Sequence, residues 1–210
     1  MSHLISANVP ARPPLLRVKA RAGRGGIHRR LALAALLALV GPGLPRSGST
    51  TLARMDLREL AVRAAYVARV RCTNAVSSSD AGHVWTNTTF EVTEAWKGSP
   101  PAEFTVRLPG GSAAGLRVMV EGAPRFAVGE QAVLFLATGK GRQLSIVSWA
   151  QGTFRILRNP RTGAEEAMQD TAGLEVLDPR TGLWSQGGQR RISLSQLRAR
   201  VAQAITEAAR

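Results

Sequence analysis

Residues 66–76 read Tyr-Val-Ala-Arg-Val-Arg-Cys-Thr-Asn-Ala-Val, and this stretch decides the fold class. Small or apolar side chains recur at every second position from Tyr66 to Cys72. That spacing is the period of a β-strand, because successive strand side chains point to opposite faces. The stretch therefore predicts a long strand with Val70 and Cys72 on one face.

Further stretches with the same character follow this strand. They are residues 84–96, 104–108, 116–120, 132–137, 144–149 and 154–157. Turn-forming residues at 77–82, 97–101, 109–111 and 139–141 separate them. The chain is therefore predicted to be mainly β. Because strands as long as 66–76 and 84–96 usually bend, we expect a small closed barrel rather than a flat sheet.

Residues 133–136, Val-Leu-Phe-Leu, are apolar at four consecutive positions. A strand of this kind is buried on both faces. We expect it to be central, with the barrel interior on one side and a helix on the other.

Two helices are predicted, one at each end of the strand region. The first starts at Asp56-Leu57, with Leu57, Leu60, Ala61 and Ala64 on one face. The second spans 193–208: Ser193 and Gln196 fit a capping box, and an apolar stripe follows. The members of that stripe are Leu194, Leu197, Val201 and Ile205. We expect it to pack against the barrel; a membrane-surface or partner-binding helix is the alternative.

The pentapeptides at 159–163 and 178–182 share one design, in which Asn or Asp is followed by Pro and ends in Gly. Proline presets φ at the second position, and glycine accepts a left-handed conformation at the last. Each is predicted to be a turn between short strands, the first joining 154–157 to 164–168.

The N-terminal region has the layout of a secretory signal. Arg29-Arg30 precede ten apolar residues, 31–40, and no carboxylate occurs in the first 46 residues. Ten residues span about 15 Å as a helix, roughly half of a bilayer core, so the segment is too short to cross a membrane. We expect an exported protein of the periplasm or the extracellular medium. The leader before residue 31 is long, so either it is a disordered n-region or translation starts further downstream; the arginine pair leaves the twin-arginine route open.

Removal of the leader changes the charge. The formal net charge is +14, and residues 1–46 contribute eight basic side chains to it. The net charge of the remainder is +6, of which +4 lies in residues 190–210 (five arginines against Glu207). The high isoelectric point is therefore partly a targeting feature and does not argue for nucleic acid.

Several motifs carry a family resemblance. They are Asp56-Leu57 with Ala65-Tyr66-Val67, Phe90-Glu91-Val92 with Trp96-Lys97-Gly98, Pro109-Gly110-Gly111, Gly122-Ala123-Pro124-Arg125-Phe126 with Gly129-Glu130, Phe135-Leu136, Ala150-Gln151-Gly152-Thr153-Phe154 and the helix start at 193–197. With them the chain resembles a family of exported bacterial proteins of unknown function. More remotely it is similar to the netrin-like module of tissue inhibitors of metalloproteinases, a barrel of the oligonucleotide/oligosaccharide-binding (OB) type.

That resemblance implies an OB-like barrel and an inhibitor-like role. The inhibitors reach a protease zinc through an N-terminal cysteine pinned by disulfides. Here Cys72 lies alone inside the first strand, so this mode of inhibition is not expected. We predict instead a buried free thiol, since no neighbouring base is evident. The predicted domains are the leader and signal peptide (1–49), the OB-like barrel (55–158) and a hairpin and helix extension (159–210).

Residues with the chemistry of an active site are few. After the leader the one histidine is His83, with Asp80 as its nearest acidic neighbour, whereas a metal site usually needs two or three converging ligands. The serines at 77–79 have no adjacent base and acid. The carboxylates Glu91, Glu94, Glu165 and Glu166 are expected at the surface. The glycosylation pattern Asn87-Thr88-Thr89 is a common chance match. We predict no catalytic, cofactor-binding or metal-ligating residue, and no enzyme.

Three functions remain. The first is an exported, non-catalytic binding module whose partner is an envelope or secreted protein. The second is a structural surface protein that rests its basic C-terminal helix on anionic lipid or polysaccharide. The third, single-strand nucleic-acid binding, would stack bases on Trp85, Trp149 or Trp184, and it is the least expected because the chain has few aromatic residues.

Overall fold

The structure is a computed structural model that describes residues 51–210. The predicted leader and signal peptide, residues 1–49 with the apolar segment 31–40, lie outside the described residues. Within 51–210 there are thirteen strands and two α-helices. In chain order they are β1 (Thr51–Ala53), α1 (Leu57–Arg63), β2 (Tyr66–Asp80), β3 (His83–Lys97), β4 (Glu103–Pro109), β5 (Gly111–Ala113), β6 (Leu116–Val118), β7 (Gln131–Thr138), β8 (Leu144–Ile146), β9 (Thr153–Arg158), β10 (Glu165–Asp170), β11 (Glu175–Leu177), β12 (Trp184–Gln186), β13 (Gln189–Ser193) and α2 (Leu194–Ala208).

The main sheet has eight strands. Seven follow the order β13-β10-β9-β7-β2-β3-β4, and every neighbouring pair is antiparallel. The eighth, β8, pairs with residues 136–138 of β7, on the same edge whose residues 132–134 pair with β9. The sheet therefore divides at β7. Two small sheets accompany it, β1-β11-β12 and the hairpin β5-β6.

The mainly β prediction is confirmed, but closure into a barrel is not observed. Among residues 51–210 the edge strands β13 and β4 do not pair with each other. The branch that carries β8 curls until β4 lies beside β8, without a hydrogen-bonded ladder between these two described strands. The other branch, β9-β10-β13, continues outward. Because β7 shares one edge between two strands, the sheet cannot close around all of its members.

The core has two main parts, on opposite faces of the sheet. Leu134 and Leu136 point into the curled branch, together with side chains of β2, β3, β4 and β8. Val133 and Phe135 point to the other face, which α1 and α2 cover. All four side chains of residues 133–136 are fully buried. The prediction of a central strand, with a helix on one side, is confirmed.

The hairpin of β2 and β3 is longer than predicted. Both strands have 15 residues, and residues 77–80 continue β2 instead of forming a loop. The turn is reduced to Ala81-Gly82, both with positive φ (48° and 78°). A two-residue turn of this conformation matches the twist of the flanking strands. The serines therefore stay in the ladder, with Ser77 opposite Thr86.

Two other predicted strands are shorter than expected. The strand predicted at 144–149 ends at Ile146, because Ser148 and Trp149 adopt left-handed conformations (φ 48° and 47°). The strand predicted at 116–120 ends at Val118. Both predictions relied on side-chain alternation alone, which does not register a backbone reversal.

Both helices form where the sequence predicts them. Asp56 caps α1 and forms a capping box with Glu59, while Leu60 and Ala61 are buried. Ser193 caps α2 through the amide of Gln196, and Leu197, Val201 and Ala204 are buried. The apolar stripe of α2 packs against α1 and the sheet, which confirms the packing prediction.

Both Asn/Asp-Pro turns also form as predicted. Asn159 begins the turn that joins β9 to β10, and Asp178 begins the turn between β11 and β12. In each, the glycine amide (Gly163 or Gly182) donates to the carbonyl of the first residue at 2.8 Å.

The end of β3 holds the end of α1 in place. The Lys97 ammonium donates to the carbonyls of Ala61 and Ala64, at 2.7 and 2.6 Å. Cations stabilise the carbonyl end of a helix, where these acceptors have no partner within the helix. Gly98 follows with φ +67°, and a Cβ there would lie 2.8 Å from the carbonyl oxygen of Ala65. The Lys97-Gly98 motif thus stabilises the contact between the end of β3 and the end of α1.

The substitution Lys97→Ala removes the donor to these carbonyls. We expect the free energy of unfolding to fall by about 1–3 kcal/mol, the range for leaving charge-assisted acceptors unpaired. Urea unfolding followed by circular dichroism measures this loss. Lys140→Ala, at an exposed lysine, is the control and should change stability by less than about 0.5 kcal/mol. Equal losses in both variants would contradict the assignment.

Candidate binding groove

A cavity of about 200 Å³ opens where α1, β13 and α2 meet above the sheet. Its floor consists of buried and half-buried apolar side chains: Met55, Leu57, Leu60, Phe154, Ile192 and Leu197. Exposed Arg190, Arg200 and Gln196 stand around it, and buried Gln169 reaches it from β10. We call this site the arginine-rimmed groove. A preformed apolar cavity with a few polar groups is the usual form of a binding site.

Side chains of β13 alternate between the two faces of the sheet, and this alternation determines the face on which each of its arginines lies. Arg190 and Ile192 lie opposite Gln169 and Ala167 of β10, on the face that the helices cover. Arg191 lies opposite Met168, and its guanidinium is 3.8 Å from Glu166. Arg200 lies on α2, three positions after Leu197 in the floor. One strand and one helix, which follow each other directly, thus contribute both rim arginines.

The wall at Met55 is held by the buried side chain of Gln151. Its Oε1 accepts from the amide of Met55 at 2.8 Å, and its Nε2 donates to the carbonyl of Ala53 at 2.8 Å. Nε2 of Gln169 donates to the carbonyl of Gln151 at 2.6 Å. Because Gln151 is only 4% exposed, these hydrogen bonds are shielded from water. The groove therefore has a fixed wall.

The groove has an excess of positive charge. Among residues 51–210, neither Arg190 nor Arg200 makes an ion pair or a side-chain hydrogen bond. Other arginines are paired, such as Arg69, which holds Glu165 with two hydrogen bonds at 2.8 and 3.0 Å. Unpaired guanidinium groups beside an apolar cavity favour a ligand that carries both a negative charge and an apolar group.

The carboxylates Glu91, Glu94, Glu165 and Glu166 do not come together in one site. Glu91 pairs with Arg71 at 2.6 Å, Glu94 with Arg198 at 2.7 Å, and Glu165 and Glu166 with Arg69 and Arg191. Each is thus engaged by an arginine of a different element or strand. The four carboxylates thus lie in separate ion pairs and do not form one cluster.

His83 and Asp80 face each other across the turn of the long hairpin. Asp80 accepts from Arg107 at 3.0 Å, so its charge is already engaged. His83 is exposed. Within residues 51–210 no three His, Cys, Asp or Glu side chains come together in a way that could hold a metal ion.

The serines and Asn87 lie along the same hairpin. Ser77 shares a hydrogen bond of 2.9 Å with Thr86, whose hydroxyl donates to the carbonyl of Gly110 at 2.6 Å. Asn87 is exposed in the middle of β3. These groups follow the hairpin and do not converge with His83.

The tryptophans proposed as stacking platforms are dispersed. The guanidinium of Arg107 covers Trp85, 4.6 Å from the ring centre. Trp149 is half-buried in a turn, and Trp184 is 55% exposed on β12. Since Trp85 is already covered and the three lie on different elements, they do not form a continuous stacking surface.

Cys72 is a buried free thiol, as predicted, with 1% of its surface exposed. Burial raises the pKa of the Cys72 thiol, and the nearby charge of Glu130 adds to this; a backbone hydrogen bond at Asn74 opposes it. A thiol with a raised pKa is a poor nucleophile near neutral pH. The environment of Cys72 is that of a buried core residue and not of a reactive thiol.

No protein-family model, curated protein or solved structure matches this chain. The resemblance to the netrin-like module therefore stays a prediction. Neither helix in residues 51–210 is long and apolar enough to cross a lipid bilayer.

The groove was not predicted from the sequence. The basic excess of residues 190–210 is evident in the sequence, but β13, which presents Arg190 on the helix side of the sheet, was not predicted. The signal that was available is the alternation of Arg190 and Ile192 immediately before the helix cap at Ser193. Only the pairing with β10 turns that short alternation into one wall of a cavity.

Alkylation of Cys72 by iodoacetamide should be at least about 100-fold slower in the native protein than in urea at pH 8, because the native thiol is buried and its pKa is raised. Since the native state holds this proton more tightly, the thiol should also lower the free energy of unfolding as the pH rises past its ordinary pKa. Mass spectrometry measures the alkylation rate. Cys72→Ala, which removes the single cysteine, is the blank; equal rates in native and unfolded protein would contradict the assignment.

Proposed function

We propose that this chain is an exported, non-catalytic binding module that engages an anionic ligand at the arginine-rimmed groove. The partner we propose is an envelope or secreted protein. The observation that carries this is the pair of unpartnered arginines, Arg190 and Arg200, beside a preformed apolar cavity. In this setting a carboxylate of the partner would meet two guanidinium groups next to apolar surface.

The non-catalytic part of the proposal is supported by the arrangement of the titratable groups. The carboxylates considered above are engaged by arginines, and Cys72 is buried. His83 is exposed at a hairpin turn, away from an apolar cavity. Export is supported by the sequence of residues 29–40, which lie outside the described residues.

We also propose that β8, β7, β2, β3 and β4 form an OB-like unit. The order of these strands, with β4 beside β8, supports it. Leu108 of β4 and Ile146 of β8 share one apolar core with Val70 of β2, which also supports it. The C-terminal strands and α2 then extend this unit and contribute the groove.

Contact of the C-terminal helix with an anionic surface is the weaker alternative. The apolar stripe of α2 is buried against α1 and the sheet, so it does not supply a membrane-inserting face. Arg200 and Arg210 are exposed and could provide an electrostatic contact alone. Nucleic-acid binding is weaker still, because Arg107 already covers Trp85.

Export predicts that the mature protein has lost the apolar segment 31–40. We expect N-terminal sequencing of protein from the periplasm or medium to begin after residue 40. A Leu36→Arg substitution places a charge inside the apolar segment and should retain the full-length chain in the cytoplasm. Full-length, unprocessed wild-type protein in the cytoplasm would contradict export.

Partner binding is tested with the immobilised protein and the envelope or medium fraction of its own cells. The Arg190→Gln/Arg200→Gln variant should retain at least about tenfold less of a reproducible partner than the wild type, because two charge-assisted contacts are lost. Quantitative mass spectrometry measures retention.

The control variant is Arg117→Gln/Arg161→Gln, which removes the same net charge from exposed arginines on β6 and on the turn after β9. It should retain the partner like the wild type. If both double variants lose the partner equally, general charge and not the groove is responsible, and the proposed site is wrong. If wild type and groove variant retain the same proteins, the proposed function fails.

A further inference from the structure

The outer edge of β13 is open beside the groove. Among residues 51–210, β13 pairs with β10 alone. The amide of Thr171 donates to the carbonyl of Gly188 at 3.1 Å, just before β13 begins. In an antiparallel ladder, hydrogen-bonded and non-hydrogen-bonded pairs alternate. The backbone groups of Arg190 and Ile192 therefore point to β10, and those of Gln189 and Arg191 point outward.

The pairing of β10 with β9, on its other side, leads to the same assignment of the backbone groups. The amide of Asn159 donates to the carbonyl of Ala164 at 2.8 Å, so Glu166 and Met168 direct their backbone groups to β9. Ala167 and Gln169 must then direct theirs to β13. Two independent hydrogen bonds thus assign the backbone amide and carbonyl of Arg191 to the open edge.

The open edge and the cavity are continuous. Arg190, Arg191 and Ile192 are consecutive, and all three line the cavity. An extended chain laid along the outside of β13 would have its backbone beside Arg191. Alternate side chains of that chain would lie on the face of the sheet where the arginine-rimmed groove opens.

We infer that the groove receives the C-terminal segment of a partner polypeptide. The segment adds as an extended strand to the outer edge of β13, and its last side chain, a large aliphatic one, enters the cavity. Its terminal carboxylate lies between Arg190 and Arg200. This inference rests on the proposed function and specifies its ligand. Strand addition combined with capture of a terminal carboxylate is a general mode of peptide recognition.

The size and chemistry of the groove favour this ligand. A cavity of about 200 Å³ is smaller than the roughly 300 Å³ at which pockets for whole small molecules begin, so it fits one side chain. Two unpartnered guanidinium groups match one carboxylate. A single-chain lipid acid would satisfy the cavity and the arginines but would leave the outward amide and carbonyl of Arg191 unused. A peptide uses all three features.

The test measures fluorescence anisotropy of a labelled pentapeptide, Thr-Val-Thr-Val-Leu, with the full-length protein. The free acid should bind at least about tenfold more tightly than the C-terminal amide, which lacks the charge. Replacement of the last leucine by glycine should weaken binding about 10- to 100-fold, because an apolar side chain is no longer buried. Methylation of the backbone nitrogens should also abolish binding, because strand addition needs those donors.

The protein side uses the same variants as above. Arg190→Gln/Arg200→Gln should weaken binding of the free acid at least about tenfold and leave binding of the amide unchanged. Arg117→Gln/Arg161→Gln should bind like the wild type. Equal thermal unfolding of the variants shows that the changes are local.

Three results would overturn the inference: equal binding of the acid and the amide, no effect of backbone methylation, or displacement of the peptide by decanoate at lower concentration than by unlabelled peptide. If the pentapeptides do not bind but the groove variant still loses its natural partner, the inference is wrong and the proposed function stands. If the partner is retained without the arginines as well, both are wrong.

Discussion

The burial of residues 133–136 on both faces is the constraint on which the rest of this structure depends. Leu134 and Leu136 commit one face of β7 to the curled branch, and Val133 and Phe135 commit the other to the helices. With both faces covered, β7 can meet further strands only at its edges. One edge holds β2, and the other is divided between β8 and β9. This division creates a fork in the sheet. One of its branches leads through β10 to β13, away from the curled branch, and β13 forms one side of the groove.

The sequence predicted what local periodicity and capping chemistry determine. The double-sided burial of β7, the buried Cys72, both helices and both proline turns are all properties of neighbouring residues. The fork at β7 and the strand β13 are not. They depend on pairing between segments distant in the chain, such as Ala132 with Arg155 and Ala167 with Ile192. The serines at 77–79 have the composition of a loop, but their pairing with β3 makes them part of β2.

The groove has an excess of positive charge because two of the arginines that line it have no carboxylate partner among residues 51–210. Arg69, Arg71, Arg155 and Arg198 each meet a carboxylate of another strand or loop, and these pairs fasten the sheet and α2. Of the C-terminal arginines, Arg190, Arg200 and Arg210 have no carboxylate partner among residues 51–210, and the first two line the cavity. Because β13 passes directly into α2 at Ser193, Arg190 and Arg200 come from one continuous segment. The excess positive charge and the apolar floor thus meet at one place.

The hydrogen bonds of Gln151 to Ala53 and Met55 join residues 98 and 96 positions apart. During synthesis the chain up to α1 therefore emerges long before its anchor exists, and α1, with seven residues, is too short to persist alone. The segment of β1 and α1 thus reaches its place only after residue 151 has been synthesised. Contacts of such long sequence separation slow folding, because a large loop must close before they form. The wall of the groove at Met55 is therefore completed late, after every residue of the core inside the curled branch has been synthesised.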